Sequence, residues 1–115
     1  MTAIGRVTVC GLGPGGSGQI TEATASMLDS GLPVYLRTSR HPSASRAVGA
    51  ESFDHIYEAG ESFDQIYQTI ADALAEAARS TGHVVYAVPG SPLILERSVR
   101  RLFDVDDIEL SLIHI

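Results

Sequence analysis

The chain has no lysine, no asparagine and no tryptophan, and one cysteine among its 115 residues. Without lysine, this segment can supply neither a P-loop lysine for phosphate nor a Schiff-base lysine. The lone Cys10 cannot form an internal disulfide, and its place after Val7-Thr8-Val9 suits a small buried hydrophobe. No run of about eighteen apolar residues exists to span a membrane. The N-terminus also lacks the basic-then-apolar pattern of a signal peptide, so a cytoplasmic protein is expected. All eight basic residues are arginine, set against fourteen acids for a net charge of −6. That balance disfavours a nucleic-acid partner, which needs a basic face for its phosphates.

A 44% hydrophobic content in 115 residues allows one soluble globular domain at most. The last six residues, Leu110-Ser111-Leu112-Ile113-His114-Ile115, translate CTG TCT CTT ATA CAC ATC. That string resembles the transposon-end adapter of sequencing libraries. We therefore divide the chain into 1–109, an N-terminal subdomain, and 110–115, set aside as non-native. The competing reading is a terminal strand, which alternating apolar residues after Asp106-Asp107 would suit.

Patterning alternates between strands and helices. Arg6 to Leu12 reads as a buried first strand. A helix from about Gln19 to Asp29 follows, with Ile20, Ala23, Met27 and Leu28 inward and Gly31 ending it. Pro33 to Leu36 is a second strand, Ser43 to Val48 a short helix, and Ser52-Phe53 a brief strand or extended link. Ser62 and Gln65 form a capping box ahead of a helix whose buried face carries Phe63, Ile66, Tyr67, Ile70, Leu74 and Ala77. Arg79 and Gly82 finish that helix, and His83 to Val88 is the next strand. Pro89-Gly90-Ser91-Pro92 turns into a last helix carrying Leu93, Val99, Leu102 and Phe103. This order predicts an α/β fold, a parallel-type sheet flanked by helices.

The chemistry concentrates in two turns. Gly11-Leu12-Gly13-Pro14-Gly15-Gly16 follows the first strand, and glycines there let backbone N–H groups approach a ligand. Gly11, Gly13 and Gly16 satisfy G-x-G-x-x-G, but a dinucleotide site also wants an acid near the end of the second strand. Arg37 and Arg40 stand there instead, and Pro14 lacks an N–H. At this level a ligand wall, a dinucleotide turn and a purely structural turn stay open. Carboxylate pairs such as Glu51 and Asp54 flank a loop and a helix start, where acids favour the N-terminus, and no metal is assigned. His41 and His55 lack partners at ligand spacing, and His83 reads as a structural histidine.

Four blocks in order resemble the N-terminal half of the tetrapyrrole methylase family, the class III S-adenosylmethionine-dependent methyltransferases. They are Gly11-Leu12-Gly13-Pro14-Gly15, Leu36 to Pro42, Ser52-Phe53-Asp54 and Tyr86 to Pro92, and the resemblance covers residue 6 to about 109. It is nearest to the version fused to a MazG-type nucleoside triphosphate pyrophosphohydrolase (YabN-like proteins). The resemblance implies an S-adenosylmethionine site in which Pro14, Pro89, Gly90, Ser91 and Ile94 contact the cofactor. Arg37, Arg40 and His41 would then face an anionic small-molecule methyl acceptor, or pair with nearby acids. Gly16 and Ser91 stand where methylating members carry Asp, and Arg37 about where uroporphyrinogen methylases carry a catalytic strand-two Asp. A regulatory or interaction domain without methyl transfer is the alternative function. Half of the cofactor cleft would lie on a C-terminal domain, so residues 1–115 alone are expected to be inactive. A homodimer of the full-length form is left open.

Overall fold

The computed structural model describes residues 5–12, 21–37, 50–57, 62–88 and 107–113. Its strands are β1 (Gly5–Gly11), β2 (Val34–Leu36), β3 (Glu51–Ser52), β4 (His83–Val88) and β5 (Ile108–Ile113). Its helices are α1 (Glu22–Leu28), α2 (Asp54–Tyr57) and α3 (Phe63–Thr81). The strands form one sheet in the order β3-β2-β4-β1-β5, and all of its pairings are parallel. The α/β architecture expected from the alternating pattern is the one observed.

Strand periodicity divides the side chains between two faces. Val7, Val9, Val84, Tyr86, Val88 and Ile108 share one face and join Ile66, Ile70, Ala71, Leu74, Ala75 and Ala78 of α3 in the main core. Phe53 lies in the same core, stacked on Tyr35 at 5.7 Å and edge-on to Tyr86 at 5.9 Å between ring centroids. The opposite face carries a smaller cluster, Leu12, Leu28, Leu36 and Ala87, with Val34 and Ala50 against it. Leu28 brings α1 to that face. α1 and α3 therefore pack on opposite sides of the sheet.

α3 begins as its capping box predicts: Ser62 Oγ accepts from the Gln65 N–H. It ends at Gly82, whose φ of 89° favours glycine and whose N–H donates to the Ala78 carbonyl. The buried stripe differs in detail from the expected one. Ala71, Ala75 and Ala78 are fully inward, whereas Tyr67 and Ala77 are half-buried at its margins. Small residues let the helix lie close to the sheet, and a Cβ on Gly5 would meet the Ala78 carbonyl oxygen at 2.5 Å.

α1 starts later than expected. Thr21 is its N-cap, accepting from the Thr24 N–H, so the first helical residue is Glu22 and not Gln19. Leu28 is buried as expected, but the other buried residue of α1 is Thr24, while Ala23 is exposed and Met27 half-buried. The brief third strand is present at Glu51–Ser52, and a four-residue helix, α2, follows it. The helices expected over 43–48 and after Ser91 lie outside the described residues.

Residues 110–113 belong to β5. Ile108, Leu110 and Leu112 pair with Gly5, Val7 and Val9 and add to the α3-side core. Apolar alternation is enough to extend the sheet there, whatever the origin of the codons. Three polar links fasten this strand at its start: Gly5 N–H donates to the Asp107 carbonyl at 3.3 Å, Arg79 forks onto the Asp107 carboxylate at 2.6 and 2.8 Å, and Arg6 meets the Glu109 carboxylate at 3.1 Å.

Candidate functional site

In a parallel sheet every strand ends at the same edge, and the strand order decides where a crevice opens. The connection leaving β1 crosses β4 to reach β2, while the connection leaving β4 crosses β1 to reach β5. The two chains depart in opposite directions from adjacent strands. The topological switch point thus lies between the carboxyl ends of β1 and β4, where ligands bind in open α/β sheets.

The two turns singled out by composition spring from this point. Gly11 is paired with Val88, and the Leu12 N–H donates to the Val88 carbonyl at 2.8 Å. That bond carries the pairing one step past the ladder and holds both departures level. Leu12 is fully buried, clustered with Leu28, Leu36 and Ala87 beneath the edge. The described residues at this end of β1 are therefore glycine backbone and a buried apolar side chain.

β2 reaches the same edge beside β4. The Arg37 N–H donates to the Ala87 carbonyl at 3.0 Å, so the half-buried Arg37 leaves the sheet next to the β4 turn. It is the one predicted acceptor-facing residue within the described part of the chain. Pro14, Arg40, His41, Pro89, Gly90, Ser91 and Ile94 lie outside the described residues. Their strands nevertheless end at one edge, and Pro89 directly follows the last residue of β4.

Two further titratable groups belong to the sheet itself. Burial pushes the Cys10 thiol up to about 12, which makes it an inert core residue and not a nucleophile. His83 sits at the far, amino end of β4, with its Nε2 2.7 Å from Thr8 Oγ1. Burial and the nearby Arg6 hold its pKa below the ordinary value, against a smaller upward pull from Glu109. The structural reading of this histidine fits that geometry. Among the described residues no three His, Cys, Asp or Glu side chains come together as a metal site. Nor does any described helix have the length and apolarity to cross a membrane.

One residue near the site escaped the sequence reading. Thr24 is fully buried, and its hydroxyl donates to the Gly11 carbonyl at 3.4 Å. Its signal was present in the chain, a threonine three residues after the N-cap Thr21, but the apolar spacing of Ile20, Ala23 and Met27 put Ala23 inward instead.

Comparison with known proteins agrees with this topology. The family model for tetrapyrrole (corrin/porphyrin) methylases matches residues 6–112. The uncharacterised protein YabN of Bacillus subtilis (strain 168) is 40% identical over 102 residues, which are 85% of this chain and 21% of YabN. Uroporphyrin-III C-methyltransferase from Thermus thermophilus superposes with a TM-score of 0.61 at 18% identity, over 96% of this chain and 47% of that one. A structure of its native form gives 0.62 at 18% identity, with 96% and 48% covered. At that identity the likeness is one of fold. The chain spans about a fifth of YabN and under half of the methyltransferase.

Proposed function

Given that the chain belongs to the tetrapyrrole (corrin/porphyrin) methylase family, we propose that it forms the N-terminal wall of an S-adenosylmethionine site for methyl transfer. The observation that carries this reading is the switch point itself. The strands that feed the two glycine- and proline-rich stretches, β1 and β4, end side by side, with Gly11 opposite Val88. Glycine-rich backbone there would suit this cofactor, a bulky ligand that needs close backbone approach more than a charged side chain. In this reading Pro14, Pro89, Gly90, Ser91 and Ile94 contact it. The cofactor supplies an activated methyl group on a sulfonium. The protein's task is then to hold donor and acceptor in line, and a strong general base is optional.

Arg37, Arg40 and His41 are the proposed contacts for an anionic small-molecule acceptor. Arg37 supports that assignment by its place beside the β4 turn, where its backbone is tied to Ala87. A linked MazG-type nucleoside triphosphate pyrophosphohydrolase belongs to the same proposal. Supporting it, the region shared here is 47% of a methyltransferase chain but only 21% of YabN. YabN is thus long enough for a whole methylase unit and a further domain. The proposal also keeps the protein in the cytoplasm and away from nucleic acid, whose phosphates a net charge of −6 disfavours.

The test is calorimetric titration of S-adenosylmethionine into the full-length protein and its Gly90→Val variant. Wild type should bind, and the variant should not, while circular dichroism stays unchanged. A β-branched side chain would fill the space left for the ligand. Equal binding by both proteins would overturn the role of the β4 turn.

A further inference from the structure

We propose that Thr24 is a positioning residue for the glycine turn, acting on it through the carbonyl of Gly11. The inference rests on the reading of that turn as a cofactor wall, and Thr24 itself touches no ligand. A buried hydroxyl needs hydrogen-bond partners, and an alanine or valine would fill an apolar helix–sheet contact without that demand. Thr24 is fully buried, and its bonds point at the turn from the helical side. The Thr21 hydroxyl donates to Thr24 Oγ1 at 3.2 Å, and Thr24 Oγ1 donates onward to the Gly11 carbonyl at 3.4 Å.

Gly11 is the last residue of β1. It is paired with Val88 of β4, and its carbonyl accepts from the Thr24 side chain. On the other side, the Leu12 N–H is held by the Val88 carbonyl. The first two residues of the turn are thereby fixed by one bond to β4 and one to α1. The Thr21–Thr24 relay thus ties the last residue of β1 to the first turn of α1. Constraining a loop in its binding geometry lowers the ordering cost that a ligand would otherwise meet.

The experiment compares wild type, Thr24→Val and Thr24→Ser in the full-length protein by amide hydrogen exchange and by S-adenosylmethionine titration. Peptides covering residues 11–20 should exchange faster in Thr24→Val and return to wild-type rates in Thr24→Ser. Peptides from α3 and β4 serve as the internal reference and should not change. Cofactor affinity should fall roughly three- to tenfold in Thr24→Val, the effect of one net hydrogen bond, and recover in Thr24→Ser. Unchanged exchange at the turn would overturn the inference, as would a rise shared equally by α3 and β4, which signals general destabilisation. Failure of wild type to bind would count against the cofactor reading alone, because the exchange comparison needs no ligand.

Discussion

The two faces of this sheet are built differently. On the α3 side, alternate residues of β1, β4 and β5 form a continuous aliphatic and aromatic core against one long helix. On the α1 side, the β1 residues are Arg6, Thr8, Cys10 and Leu12, so that face grades from charged at the amino end to apolar beneath the switch point. Its described cluster has only four buried members. Polar groups there are held by specific partners, as in Thr8 with His83 and Thr24 with Gly11. Among the described residues, the larger apolar cluster therefore lies on the α3 face. The α1 face carries the residues that shape the turns.

The largest effect should therefore come from the α3 core. Leu74 is fully buried at the centre of that helix face. Leu74→Ala should cost about 2–5 kcal/mol, lost transfer energy plus a cavity, read as a lower denaturant midpoint. A similar loss from truncating Leu28, which is 8% exposed on the α1 side, would erase the distinction between the faces.

A smaller loss is expected where the α3 face is tightest. The Gly5 Cβ position lies 2.5 Å from the Ala78 carbonyl oxygen and 2.6 Å from its carbon, both backbone atoms. Gly5→Ala must push α3 off β1, so about 1–3 kcal/mol of destabilisation should appear in thermal or denaturant unfolding. A neutral Gly5→Ala would mean that the helix can shift freely, and the close-packed account of this face would fail.

These two positions also show what was legible beforehand. The α3 face declares itself through the 3.6-residue spacing of Ile66, Ile70 and Leu74, a capping box and a terminal glycine, all local signals. The α1 face does not. Its helix start depends on which of several polar residues becomes the cap, and its inward position is a threonine, Thr24, where apolar spacing favoured Ala23. The candidate site was read from two stretches of unusual composition. That the strands feeding them, β1 and β4, lie side by side comes from strand order, which local pattern does not encode. The packing of β5 is a similar case: alternation over Ile108, Leu110 and Leu112 permits a strand, but its place beside β1 is a tertiary fact.

The α1 face should reveal itself through pH. His83 is held below its ordinary pKa, first by burial and then by Arg6. A histidine with a depressed folded pKa takes up protons more readily when unfolded. Its contribution to stability is full above the unfolded value, near 6.5, and is lost as pH falls below it. Stability should thus decline as pH falls below that unfolded value, and His83→Gln should flatten that part of the profile. An unchanged slope in the variant would assign the acid sensitivity to other groups.

The smallest effect belongs to the edge, where β5 is fastened to α3. The Arg79 guanidinium meets both oxygens of Asp107 at 2.6 and 2.8 Å, which holds that carboxyl below its ordinary range. The pair is exposed to water, and such pairs gain little because solvent and salt screen them and two side chains must be ordered. Asp107→Asn should lower the melting temperature only slightly in dilute buffer, and the difference should vanish near 1 M salt, where screening acts within about 3 Å. Because the folded pKa is depressed, what the pair contributes is present at neutral pH and fades as pH falls through that value. The backbone bond from Gly5 to the Asp107 carbonyl survives the substitution, so β5 keeps its register. A loss in Asp107→Asn comparable to that of Leu74→Ala would mean that the ion pair, and not the apolar pairing of Leu110 and Leu112 with β1, holds this strand in the sheet.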